Sequence, residues 1–124
     1  SSSSADTVSY LCAQCHGKYH TWTGGASEVG TASPWLRHPT DIVLKSTGEY
    51  LAYTTYSMTA PVARPDPDTV ANTGIVTPGT DIVMCLSCHR AHASPYYKMI
   101  RWDYKSSTLS TAISGCNVCH TSKN

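Results

Sequence analysis

The sequence predicts one small domain of mostly irregular structure. It places a few short α-helices around cysteine motifs and a small β-hairpin in the segment 40–83. Three observations lead there. The chain is 124 residues long, one ordinary domain's worth, so residues 1–124 are read as a single unit. Its six cysteines fall in three pairs at one spacing, Cys12/Cys15, Cys85/Cys88 and Cys116/Cys119, each followed at once by a histidine, His16, His89 and His120. The stretch from Thr40 to Val83 holds neither cysteine nor histidine and has the β-branched and tyrosine-rich runs of short strands. Charged residues make up 14% of the chain, against roughly 25% in a typical soluble domain, and 40% is hydrophobic. That balance excludes a charge-rich disordered chain. The formal net charge of +1 gives no basic footprint for nucleic acid. No apolar run approaches the roughly 18 residues of a membrane span.

Each element follows from local sequence. Ser1–Ser4 is a polar tail without an initiator Met, read as the start of a processed, exported chain. A helix is expected from about Thr7 through His16, with Leu11 and the cysteines on its inner face. Residues 21–37 read as a loop leading to His38-Pro39, where the proline fixes the backbone beside the histidine. Asp41–Leu44 and Tyr50–Tyr56 are the expected strands, with Gly48 turning the hairpin between them. Pro61–Pro67 reads as a stiff exposed loop, and Asn72-Thr73-Gly74 and Pro78-Gly79 as turns. The tetrapeptide Thr40-Asp41-Ile42-Val43 recurs as Thr80-Asp81-Ile82-Val83. A second helix is expected from near Asp81 to near Arg90. A third, Tyr96–Tyr104, would be started by Ser94-Pro95, with serine as cap and proline at the first helical position. Gly115 precedes the last cysteine motif.

The pattern C-x-x-C-H points to covalent haem. Two thiols add to the two vinyl groups of the porphyrin, and two intervening residues let one short turn present both sulfurs. The adjacent histidine then ligates the iron as its proximal base. A zinc ribbon takes two cysteine pairs per metal, and three pairs leave one over. A thioredoxin-like pair belongs in a βαβ setting, which the pattern lacks, and a disulfide framework has no reason to put histidine after every second cysteine. With 6 histidines in the chain, three such hits by chance come to roughly one in ten thousand. Three covalently attached haem c groups are therefore expected, on Cys12, Cys15, Cys85, Cys88, Cys116 and Cys119, making the fold class a multihaem cytochrome c. The porphyrins would supply much of the apolar mass that so short a chain lacks.

Three histidines remain, His20, His38 and His92, for three open axial positions. The count closes on bis-histidine ligation at every iron; Met58, Met84 and Met99 are the rival ligands, with Met84 badly placed beside Cys85. His16 and His20 are four apart, and His89 and His92 three apart, spacings that share one face of a helix. Axial ligands approach one iron from opposite sides, so each motif is expected to serve two different haems that lie close together. The expected arrangement is reciprocal: His92 caps the haem of His16, and His20 that of His89. His38 would cap the haem of His120, from within the chain or from a neighbouring copy.

The run Met84-Cys85-Leu86-Ser87-Cys88-His89-Arg90-Ala91-His92-Ala93-Ser94-Pro95-Tyr96 resembles the doubled-motif multihaem cytochromes. More narrowly, residues 10–40 and 81–120 resemble the extracellular cytochrome filaments (nanowires) of metal-reducing bacteria and archaea, the OmcE type. The resemblance implies a homopolymer with one continuous line of haems, and one distal histidine, His38 or His20, given by the adjacent subunit. Those filament families carry four or more haems per subunit, whereas this chain has three motifs. Ser and Thr number 32 and Tyr 8, a neutral surface suited to partners or sugars. Electron transfer to redox partners or extracellular acceptors is the expected function, at an extracellular or cell-surface location. A soluble shuttle is the alternative within that class. A haem oxidoreductase is the alternative outside it, and would need one open iron, with His38 the most dispensable ligand.

Overall fold

The computed structural model describes residues 7–16, 38–66, 68 and 74–122. The expected loop 21–37, the polar N-terminus and His20 lie outside the described residues. Within them are four short α-helices, a two-stranded antiparallel sheet and two 3-10 turns, joined by irregular chain.

Helix α1 (Val8–Ala13) begins where Thr7 caps it: the Tyr10 N–H donates to Thr7 Oγ1 at 3.0 Å. The same hydroxyl donates to Asp41 Oδ2 at 2.8 Å, so one side chain both starts the helix and ties it to the sheet. Leu11 was expected on the inner face but is 71% exposed. The inward residue is Ser9, fully buried, whose Oγ accepts the Cys85 N–H at 3.0 Å. That N–H opens helix α2 (Cys85–Cys88) and would have no partner within its own helix.

The sheet pairs the two copies of the repeat. Strands β1 (Ile42–Val43) and β2 (Ile82–Val83) run antiparallel, with Ile42 opposite Val83 and Val43 opposite Ile82. The hairpin expected inside 40–56 is not formed. Gly48, at φ +60°, enters a 3-10 turn (Gly48–Ala52) in place of a two-stranded turn, and Thr55 bridges to Ile75. Each β-branched run finds a distant partner because sheet pairing follows side-chain packing more than local propensity. Pro61–Ala63 is likewise no exposed loop: Pro61 and Val62 are buried, and Ala63 exchanges two 2.9 Å backbone hydrogen bonds with Ile82.

The core sits over this sheet. Leu44, Tyr53, Val62, Val76 and Val83 form it, with Ile42, Tyr50, Val118 and Cys119 packed against them. Its polar anchors are satisfied. Asp81, fully buried, accepts the Thr77 N–H at 2.8 Å and an ion pair from Arg64 at 3.3 Å. The Tyr53 hydroxyl donates to the Ala60 carbonyl at 2.7 Å and accepts the Ser57 N–H at 3.3 Å. The haem-free segment is thus the scaffold that carries the motifs.

The remaining helices are shorter than expected. The second motif is helical only over Cys85–Cys88: residues 82–83 are strand, and His89 is extended. The shared helical face assumed for His89 and His92 therefore does not exist. The expected helix 96–104 is a single 3-10 turn (Tyr97–Met99), because Lys98 and Met99 take left-handed φ values of 55° and 56°. Ser94 ties the two sides of this turn together, accepting the Tyr96 N–H at 3.1 Å and donating to the Ile100 carbonyl at 2.6 Å. Helix α3 (Leu109–Ala112) leads through Gly115 into helix α4 (Cys116–Cys119). Gly115 is glycine for steric reasons: a Cβ there would lie 2.0 Å from the Trp102 ring.

Candidate functional site

Each cysteine pair is presented by one helical turn. Cys12 lies in α1, and Cys15 follows in the turn after it; the other two pairs bracket α2 and α4. In all three motifs the histidine N–H closes onto the carbonyl of the first cysteine, at 3.0 Å for His16, 3.1 Å for His89 and 2.9 Å for His120. None of the six cysteines is joined to another by a disulfide. Burial raises the Cys12 thiol, with the neighbouring Cys85 thiol adding to it. Burial pushes Cys88 up to about 12, helped by Cys116 and Cys119, and Cys119 to about 11, helped by Cys116. The helix of the first motif meets that of the second through the Ser9–Cys85 hydrogen bond. Among the described residues no group of three or more His, Cys, Asp or Glu side chains converges to hold a metal ion, so no zinc-ribbon cage is formed there.

The histidines are oriented by acceptors. His89 Nδ1 lies 3.0 Å from the Lys98 carbonyl, His38 Nδ1 2.9 Å from the Pro39 carbonyl, and His120 Nδ1 3.1 Å from Glu49 Oε1. A carbonyl or a carboxylate can only accept, so each Nδ1 is the donor of its pair. Metal-bound imidazoles are commonly held this way, with the distal ring N–H donated to a carbonyl or carboxylate. The left-handed backbone at Lys98 belongs to the turn that carries the carbonyl facing His89.

His38 and His120 face one another, their ring centroids 6.3 Å apart and their planes at 84°. A metal–nitrogen bond of about 2 Å, with about 1 Å more to the ring centre, puts two imidazoles on opposite sides of one metal about 6 Å apart. The spacing of the two rings fits an iron held between them. The 3-10 turn Gly48–Ala52 frames the site: Tyr50 lies tilted against His120 at 5.1 Å, and Thr121 Oγ1 donates to the Glu49 carbonyl. Burial lowers the His38 pKa and His120 adds to that, while the Pro39 carbonyl opposes it.

His92 lies on the wall of a cavity of about 390 Å³, shared with Met58, Leu86, Arg90 and Arg101. An imidazole, an apolar wall and two guanidiniums suit a porphyrin with its propionates. Arg101 is itself fixed, donating to the Leu86 carbonyl at 2.6 Å and the Met58 carbonyl at 3.3 Å. His16 is exposed at the end of its motif. Glu49, Arg90 and Arg101 were not singled out by the sequence; Glu49 stands 71 residues from His120, and no local pattern links them.

Residues 78–124 match the family described as the doubled CXXCH motif, which takes in the second and third motifs. No curated protein and no solved structure matches the chain. The family match supports a multihaem c-type cytochrome, with haem c bound covalently at CXXCH motifs and electron transfer as its role. Among the described residues no helix is long and apolar enough to cross a membrane.

Proposed function

We propose that the chain is a trihaem cytochrome c that carries electrons over long range through closely spaced bis-histidine haems, as the subunit of an extracellular filament. The opposed His38 and His120 rings, 6.3 Å apart with both Nδ1 atoms engaged, carry this reading. The haem irons supply the one-electron chemistry; the protein attaches, orients and spaces them. Cys12 and Cys15, Cys85 and Cys88, and Cys116 and Cys119 hold the three groups, with His16, His89 and His120 as proximal ligands. His38 is the distal ligand opposite His120. The two remaining histidines, His92 and His20, would supply the other two distal positions.

The hydrogen bond from the Cys85 N–H to Ser9, in the helix of the first motif, supports close spacing of the first two haems. Two histidines on each iron would leave no position for a substrate, which would favour electron transfer over catalysis. Assembly is supported by the apolar side chains turned outward, Leu11 at 71% exposure, Met58 at 76% and Leu109 at 70%. Porphyrin faces and neighbouring copies would cover these. Negative-stain electron microscopy of the untagged, haem-loaded protein tests the polymer: uniform filaments are expected, and monodisperse single particles would reduce the protein to a soluble shuttle.

A further inference from the structure

We infer that Glu49 is a positioning and tuning residue for the third haem, its carboxylate lowering the reduction potential of the iron bound by His120. The inference rests on His120 being an axial ligand. Of the three histidines whose Nδ1 acceptor is described, His38 and His89 donate to neutral carbonyls, and His120 alone donates to a carboxylate. A hydrogen bond to an ionised acceptor is roughly twice as strong as a neutral one, and it draws the Nδ1 proton towards the acceptor. The imidazole becomes a stronger donor at Nε2, and the negative charge favours the ferric over the ferrous iron.

The carboxylate is placed with purpose-built support. Gly48 enters the turn at φ +60°, and Thr121, one residue past His120, holds the Glu49 backbone carbonyl. The Glu49 side chain is 17% exposed and the His120 side chain 22%, so water screens the pair only in part. The two segments are joined twice, by side chain and by backbone. The arrangement thus fixes both the ring orientation and the charge beside it.

The test is a potentiometric titration of the haem-loaded protein, followed optically and by electron paramagnetic resonance, for wild type, Glu49→Gln and Thr121→Val. Glu49→Gln keeps the shape and removes the charge. It should raise one of the three potentials so that the ferrous-to-ferric ratio at that haem shifts at least tenfold, about 59 mV for a one-electron couple, while the other two stay in place. Thr121→Val loosens the same turn but keeps the carboxylate, and should leave all three potentials within threefold of wild type. If Glu49→Gln moves none of them while three low-spin haems persist, the tuning role fails and the axial reading of His120 stands. Equal shifts in both variants would reduce Glu49 to a structural prop. A wild type with only two haems, or with no histidine-ligated third iron, would overturn the axial reading and this inference together.

Discussion

Substituting Gly115 by alanine should destabilise the third motif out of proportion to a single methyl group. The backbone there is ordinary, φ −75° and ψ −30°, so alanine brings no dihedral strain. The cost is steric. The new Cβ would stand 2.0, 2.2 and 2.4 Å from three atoms of the Trp102 ring, where carbon atoms pack at about 3.5–4.0 Å. Trp102 cannot simply swing away, being 8% exposed and held by its Nε1–H to the Ala112 carbonyl at 3.0 Å. Overpacking costs about 1–3 kcal/mol, and losing the indole hydrogen bond adds about 0.5–1.5 kcal/mol. Together they predict roughly 2–4 kcal/mol, or a fall in Tm of roughly 8–15 °C for a chain of this size. Differential scanning calorimetry of the haem-loaded protein reads it directly. Trp102→Leu should cost stability on its own yet recover part of the loss in the Gly115→Ala background, a coupling of at least about 1 kcal/mol. A Tm within about 2 °C of wild type, or strict additivity of the two substitutions, would refute the reasoning.

Other expectations follow from the same contacts. His38→Ala should leave one of the three irons with an open axial position. A high-spin ferric signal should appear, and cyanide should bind one iron per chain; a fully low-spin spectrum would remove His38 from the iron. Asp81→Ala takes the carboxylate from Arg64 and from the Thr77 N–H, and should lower unfolding stability by about 1–3 kcal/mol in urea titrations. Tyr53 has its phenol pushed up to about 12 by burial, above its ordinary value of 10.0. Its unfolded form ionises first, so the stability it contributes is full below pH 10 and is lost as pH rises towards 12. Tyr53→Phe should flatten that decline in pH-dependent unfolding curves.

How much was legible in the sequence differs by element. The cysteine motifs and the turn at Pro78-Gly79 are local features and were readable as such, whereas the need for glycine at 115 comes from the Trp102 ring and was not. The repeated Thr-Asp-Ile-Val was visible, but that its two copies pair with each other was not, since forty residues separate them and two-residue strands leave no periodicity. Gly48 between two β-branched runs imitates a hairpin. What decides otherwise is the core, where Tyr53, Leu44 and Val76 pack together and turn 48–52 against the third motif. The expected helix 96–104 had a good cap and failed because the turn bends left-handed at Lys98 and Met99, where it faces His89. Glu49 was invisible because an orienting acceptor is defined by its distance in space from the ligand it holds.

The most direct measurement is a haem count joined to a spin-state assay on one sample: intact mass with pyridine haemochromogen absorbance, then low-temperature electron paramagnetic resonance. Three haems per chain, all low-spin and histidine-ligated, are the predicted result. Fewer than three haems, or a substantial high-spin fraction in the unmodified protein, would contradict a saturated trihaem electron carrier.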